Sequence, residues 1–104
     1  MNKLFGLSTQ DIEKIRRVFS SYPQVQEVII YGSRAMSTEK PSSDIDFSLV
    51  GEGIDLSVKF SIENDLDELL LPYKIDLCIF NKIKDEDFLN HIKKHGEVFY
   101  AKNN

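Results

Sequence analysis

Two aspartates separated by one residue are the part of the sequence best suited to chemistry. Asp44 and Asp46 lie in a stretch that alternates polar and apolar residues as far as Val50. Because a β-strand turns successive side chains to opposite faces, both carboxylates point the same way. Two neighbouring carboxylates repel each other in water, so the pair is most useful when a divalent cation lies between them. The pair therefore predicts a metal site on one face of a strand.

A third carboxylate, Asp76, lies in a later segment with the same alternation, residues 75–79. If both segments belong to one sheet, Asp44, Asp46 and Asp76 share the face opposite to the apolar side chains. Carboxylate oxygens favour Mg²⁺ or Mn²⁺ over Zn²⁺. Two such ions about 4 Å apart form a clamp for in-line phosphoryl transfer. We therefore expect these three residues to be metal ligands and catalytic residues.

A Gly-Ser turn precedes the aspartate pair. Gly32 and Ser33 follow an apolar run, and the ten residues 34–43 contain a proline and three serines, which is typical of a loop. Glycine lets the backbone approach a phosphate closely, and the turn offers N–H groups and a hydroxyl. Arg34 would add a charge-assisted contact, although a surface salt bridge is the alternative. We expect Gly32, Ser33 and Arg34 to bind nucleotide phosphates.

Helical spacing and alternation define the elements that position these residues. Apolar periodicity and capping residues predict three helices, at about 9–21, 56–70 and 85–95. Alternating or continuous apolar runs predict three strands, at 25–31, 45–50 and 73–80, with a further edge strand at 97–100. The apolar face of the second helix is expected to consist of four residues, Leu56, Phe60, Leu66 and Leu70.

These elements predict an α/β (α+β) fold. We expect a mixed β-sheet with helices packed on one face and the carboxylates on the other, uncovered face. The 104 residues are enough for one domain with one core, so residues 1–104 are expected to form a single domain.

Charge and composition exclude several classes of protein. The net charge is −4, which argues against duplex nucleic acid as a partner, but not against a nucleotide held through metal ions. No apolar run approaches the roughly 20 residues of a membrane span, so no membrane association is expected. A single cysteine, Cys78, fits a cytoplasmic protein.

The motif resembles the nucleotidyltransferase signature of the DNA polymerase β-like superfamily, in which Gly-Ser is followed by Asp-x-Asp and a third acid on a later strand. Three segments look typical of its smallest branch, the minimal nucleotidyltransferases (MNT, or MntA-type antitoxins): residues 31–35, 43–47 and 92–100. Many relatives carry a second Arg and a Gly where this chain has Met36-Ser37. That difference bears on triphosphate contacts and leaves the metal ligands intact.

The resemblance implies that Asp44 and Asp46 bind two Mg²⁺ ions and that Asp76 binds the one at the nucleophile, with Mn²⁺ as another suitable metal. It implies a protein adenylyltransferase that moves AMP from ATP to a hydroxyl, most simply that of a tyrosine, on a HEPN-domain toxin. The two proteins would form a hetero-oligomer in which the MNT chain is the antitoxin. Because larger nucleotidyltransferases carry extra helical domains, a partner is expected to complete the site.

Other interpretations stay open for the chain and for its acids. The protein would alternatively be a non-catalytic antitoxin that neutralises its partner by complex formation, or an enzyme that modifies a small molecule. Asp44 and Asp46 would then be polar residues of a solvated strand. Asp76 would pair with Lys74, although we expect Lys74 to face away from it.

Overall fold

A serine cap starts the first helix of the computed structural model, which describes residues 4–103. Helix α1 spans Thr9–Ser20, and Ser8 accepts a hydrogen bond from the Asp11 backbone N–H, as the capping pattern predicts. Three apolar residues at helical spacing, Ile12, Ile15 and Phe19, are buried on one side of this helix. None of the helices within residues 4–103 has the length and apolarity needed to cross a bilayer.

Four strands form one mixed sheet. They are β1 (Glu27–Tyr31), β2 (Ile45–Val50), β3 (Ile75–Ile79) and β4 (Glu97–Ala101), in the spatial order β3-β2-β1-β4. Strand β1 is antiparallel to β2 and β4, whereas β2 and β3 are parallel. Parallel neighbours need a crossover, which helix α2 (Leu56–Asp67) supplies. The mixed sheet predicted from the sequence is therefore confirmed, including the edge strand.

Phe47 lies at the centre of the core, between one sheet face and helices α1 and α2. Its ring meets that of Phe19 edge-on at 5.2 Å and that of Phe99 at 4.8 Å, between centroids. Aromatic pairs at these distances contribute more than their buried area alone. The same face of β1 contributes Val28 and Ile30, both fully buried.

The apolar face of α2 differs from the predicted one. Leu56 and Phe60 are 55% and 57% exposed, and Leu70 lies beyond the helix and is 88% exposed. Ile62 and Leu66 are buried instead. The helix carries apolar residues on two sides, because positions two apart lie about 200° apart around the axis. Of the predicted set, only Leu66 packs in the core.

Helix α3 (Glu86–His95) packs on the opposite side of the sheet from α1 and α2. The Phe88 ring lies 5.5 Å from the Tyr31 ring, and a Cβ at Gly96 would lie 2.5 Å from Ile29 Cγ2. Ile29 and Tyr31 alternate with the core residues of β1, so α3 covers their face, which is also the carboxylate face. That face is thus covered over β1, contrary to expectation. A short 3₁₀ turn, Phe80–Lys82, leads from β3 towards α3.

The corrected face of α2 can be tested by two alanine substitutions. Ile62→Ala should lower the free energy of unfolding by about 2–5 kcal/mol, because it leaves a cavity beneath the helix. Phe60→Ala should lower it by about 0.5 kcal/mol or less, because that ring lies largely in solvent. Urea denaturation of both variants measures the difference. Equal losses would contradict the assigned face.

Candidate active site

The register between β2 and β3 brings two of the predicted carboxylates together. Asp46 and Asp76 are direct partners in the parallel pair, so their side chains leave the sheet side by side. Neighbouring strands are separated by about 4.8 Å. Asp44 comes two residues before Asp46, immediately before β2, and is exposed. All three acids therefore lie at the same end and on the same face of the sheet.

Gly32 brings the backbone close to the carboxylate of Asp46. Its φ is +77°, and a Cβ at this position would lie 2.6 Å from Asp46 Oδ2. Any other residue would therefore be strained and would push the carboxylate away. The chain then makes the predicted short turn, in which the Met36 N–H donates to the Gly32 carbonyl at 3.2 Å. Gly32 is thus required by both the turn and the acid.

The electrostatic environment of Asp46 disfavours its charge. Burial raises the pKa of this carboxyl above its ordinary value, and the carboxylates of Asp76 and then Asp44 raise it further, while Lys74 acts in the opposite direction. A cation placed between these carboxylates would remove the repulsion that raises the pKa. The cluster has the electrostatics expected of a site for a positive ligand.

Lys74 shares the face of Asp76, contrary to the expectation that it points away. Its Nζ lies 3.9 Å from Asp76 Oδ1, because residues two apart on a strand point to the same side. The two side chains are 71% and 46% exposed, so the pair is worth little in stability. Asp76 is therefore available to another cation at low cost.

Tyr31 lines the site beside Asp46, a role that the sequence did not reveal. The two residues are direct partners in the β1–β2 pair, and the Tyr31 hydroxyl lies 3.6 Å from Cys78 Sγ. Burial raises the pKa of Tyr31 above its ordinary value, and Cys78 adds to the effect. The phenol therefore stays neutral and forms a wall together with Phe88. The position of Tyr31 just before Gly32 indicated that it lies near the site, but only the strand register shows that it pairs with Asp46.

The Arg34 side chain lies inside the protein, with 2% of it exposed. Its Nε and Nη2 donate to the Ser43 carbonyl at 3.2 and 2.9 Å, and Nη1 donates to the Phe5 carbonyl at 2.9 Å. The guanidinium carbon lies 4.8 Å from the centre of the Tyr73 ring. A contact between Arg34 and a phosphate would require the buried guanidinium to become exposed. The alternative, a surface salt bridge, is not formed within the described part of the chain.

The donors at the site are of the kind that Mg²⁺ prefers, because all are carboxylate oxygens. As their side chains lie, no three Asp, Glu, His or Cys residues among positions 4–103 form a group that could hold a metal ion. Asp46 and Asp76 are neighbours across the sheet, and Asp44 is two residues from Asp46 along the chain. The backbone thus brings the three predicted ligands near one another, while their side chains do not converge.

Comparison with known proteins places this site in a family. The family model described as polymerase beta, nucleotidyltransferase, matches residues 13–104. The chain belongs to the polymerase β nucleotidyltransferase family. The nucleotidyltransferase identity predicted from the Gly-Ser and Asp-x-Asp motif is therefore confirmed. Among curated protein sequences, none matches this nucleotidyltransferase significantly.

Solved structures of toxin–antitoxin complexes share the fold of this nucleotidyltransferase. One, a toxin–antitoxin with AMP-PNP, has a TM-score of 0.70 at 19% identity and covers 93% of this chain and 76% of its own. A tri-AMPylated HEPN toxin of Shewanella oneidensis in complex with its MNT antitoxin has a TM-score of 0.69 at 15% identity, with 92% and 74% covered. An MntA–HepT complex has a TM-score of 0.67 at 15% identity, with 91% and 74% covered. The predicted resemblance to the MNT branch is thus confirmed at the level of the fold.

The raised pKa of Asp46 has a consequence for stability that does not depend on activity. A carboxyl whose pKa is higher in the folded state favours folding below its unfolded pKa and loses that contribution as pH rises through the folded value. Asp46→Asn, which carries no charge, should therefore melt at a higher temperature than wild type at pH 7 with EDTA present. The gap should close below about pH 4. Melting curves at both pH values measure this.

Glu52→Gln is the control for the Asp46 variant. Glu52 is an exposed carboxylate in the turn after β2, and its replacement should change the melting temperature little at either pH. An Asp46→Asn protein that is less stable than wild type at pH 7 would contradict the assignment of charge repulsion to this site.

Proposed function

We propose that the protein is a Mg²⁺-dependent enzyme that transfers AMP from ATP to a tyrosine hydroxyl of a HEPN toxin. It would act in the cytoplasm as the antitoxin of a hetero-oligomer with that toxin. The observation that carries the proposal is the pairing of Asp46 with Asp76 beside the close-packed backbone of Gly32. This arrangement supports phosphoryl chemistry, because it sets metal-type carboxylates against a turn suited to phosphate.

Asp44 and Asp46 would hold two Mg²⁺ ions, with Mn²⁺ as an alternative metal, and Asp76 would hold the one nearer the acceptor. Bound Mg²⁺ neutralises the triphosphate and lowers the pKa of the attacking hydroxyl. The acidic cluster suits this role, since the repulsion that raises the pKa of Asp46 favours binding of a cation.

The residues of the turn would orient the nucleotide. Gly32 allows the backbone to approach the phosphates, and Ser33 offers a hydroxyl and a backbone N–H at the start of the turn. The acceptor hydroxyl would release its proton to solvent, and its oxygen would bond to the α-phosphorus while the bond from that phosphorus to the bridging oxygen breaks and pyrophosphate leaves. Tyr31 would shield one side of Asp46 from water, because its neutral ring packs against α3. Arg34 is not assigned to the phosphates, because its side chain is buried and three of its N–H groups already donate to carbonyl oxygens.

The nature of the partner rests on the relatives. The similar structures include a toxin–antitoxin with AMP-PNP, an MntA–HepT complex and a tri-AMPylated HEPN toxin in complex with its MNT antitoxin. The present chain covers 74–76% of the length of these structurally similar chains. These observations support ATP as the donor and a HEPN protein as the acceptor.

Removal of both carboxylates of the pair tests the catalytic proposal. A variant with Asp44→Asn and Asp46→Asn should lose transfer of labelled AMP to the toxin by at least about a thousandfold, because no charged ligand remains at β2. Its melting temperature should not fall, since the change removes repulsion. Transfer is measured with labelled ATP, Mg²⁺ and purified toxin. Retained transfer by the double variant would refute the proposal.

A non-catalytic antitoxin is the second candidate, favoured by one observation. The three carboxylates are not gathered into a group that could hold a metal ion within residues 4–103. Such a protein would neutralise its toxin by binding alone. The double variant distinguishes the two functions in cells, because full protection against the toxin without its carboxylates would support binding as the mechanism.

A further inference from the structure

Arg34 contacts the segments that lead into the predicted metal ligands. We propose that Arg34 is a positioning residue, whose guanidinium holds the chain before Asp44 and the chain before Asp76 at a fixed distance from the Gly32-Ser33 turn. The inference rests on the proposed function, since it takes the carboxylates as metal ligands. It assigns Arg34 no contact with the nucleotide.

The first contact closes the loop 34–43. Nε and Nη2 of Arg34 both donate to the carbonyl oxygen of Ser43, at 3.2 and 2.9 Å. This carbonyl belongs to the peptide group that contains the Asp44 nitrogen. Two bonds from one planar group fix a direction as well as a distance. The backbone of Asp44 is thereby tied to the residue that follows Ser33.

The second contact reaches the entry to β3. The Arg34 guanidinium lies over the Tyr73 ring, with 4.8 Å between its carbon and the ring centre. The next residue, Lys74, accepts a hydrogen bond from the Ile45 N–H at 2.9 Å, so the starts of β2 and β3 are joined beside the ring. Arg34 therefore packs where both acid-bearing strands begin.

The third contact shields the guanidinium from solvent. Nη1 donates to the Phe5 carbonyl at 2.9 Å, in a turn anchored by the fully buried Leu7. A Cβ at Gly6, whose φ is +71°, would lie 2.9 Å from Nη1. The N-terminal turn thus packs tightly over Arg34. This leaves 2% of the arginine exposed, so its hydrogen bonds do not compete with water.

The partners of the Arg34 guanidinium indicate what it contributes at this position. Glu39 packs beside Arg34 against Gly6, but no carboxylate in the described chain lies within ion-pair distance of the guanidinium, so carbonyl oxygens and an aromatic ring are its direct partners. Burial of a cation without a carboxylate is costly, and an apolar side chain would avoid that cost. What the guanidinium provides is geometry, because it donates in several fixed directions at once.

Lysine at position 34 is the informative substitution, because it keeps the charge and loses the planar group. Mn²⁺ alone serves as the probe, followed by electron paramagnetic resonance without nucleotide. Arg34→Lys should bind Mn²⁺ about tenfold more weakly than wild type, because the segments before Asp44 and Asp76 are no longer held at a fixed distance. Thermal unfolding of each protein is measured alongside.

The chain offers a matched control at Arg16. Its Nε donates to the Phe99 carbonyl at 2.8 Å, and its guanidinium lies 5.2 Å from the Phe99 ring, at the far edge of the sheet. Arg16→Lys should cost stability and leave Mn²⁺ affinity within about twofold of wild type, because distant sites act independently. If Arg34→Lys also keeps its Mn²⁺ affinity, Arg34 is merely structural and the inference is overturned.

Two further proteins complete the experiment. The variant with Asp44→Asn and Asp46→Asn gives the baseline, and wild-type binding no tighter than this baseline would overturn the proposed function and the positioning role together. If Arg34→Lys does not fold, Tyr73→Leu tests the positioning role instead, because it removes the aromatic face beneath the guanidinium and keeps an apolar side chain. It should weaken Mn²⁺ binding by about threefold or more, and unchanged affinity would overturn the inference.

Discussion

The register of β2 between its two neighbours is the constraint on which the rest of the structure depends. Tyr31, Asp46 and Asp76 form one row across three strands, and Ile30 and Phe47 are partners in the next row, on the opposite face. A slip of one residue would exchange the faces, which would bury Asp46 and expose Phe47. Burial of the Phe47 ring among other aromatic rings opposes that slip. The same packing that stabilises the core therefore places the carboxylates.

The residue that stabilises the core and the residue proposed for chemistry are adjacent along β2. Phe47 is fully buried and contributes to the core, whereas the next residue towards the N-terminus, Asp46, has its charge disfavoured by burial and by two other acids. The core offsets the cost of the acids without sharing a face with them. A substitution at the site can thus alter function without unfolding the protein.

Local patterns in the sequence were sufficient for some features and not for others. The bounds of β2 and the common face of Asp44 and Asp46 follow from alternation alone, and the fold class follows from the order of elements. The buried face of α2 could not be predicted from the local pattern, because apolar residues lie on two of its sides. The side of the sheet on which α3 packs could not be predicted either, because it depends on the contact between α3 and Tyr31, which is far away in sequence. Burial of Arg34 likewise depends on distant partners, such as Phe5 and Tyr73.

One residue of the loop between the turn and β2 has an unfavourable backbone conformation. Ser37 has a φ of +59°, a conformation that glycine adopts without strain and that costs other residues about 1 kcal/mol or more. Met36 is 41% exposed, so its side chain does not anchor the loop. Because the loop ends are held by the bonds from Arg34 to Ser43, the tip can vary while the acid that follows the loop stays in place.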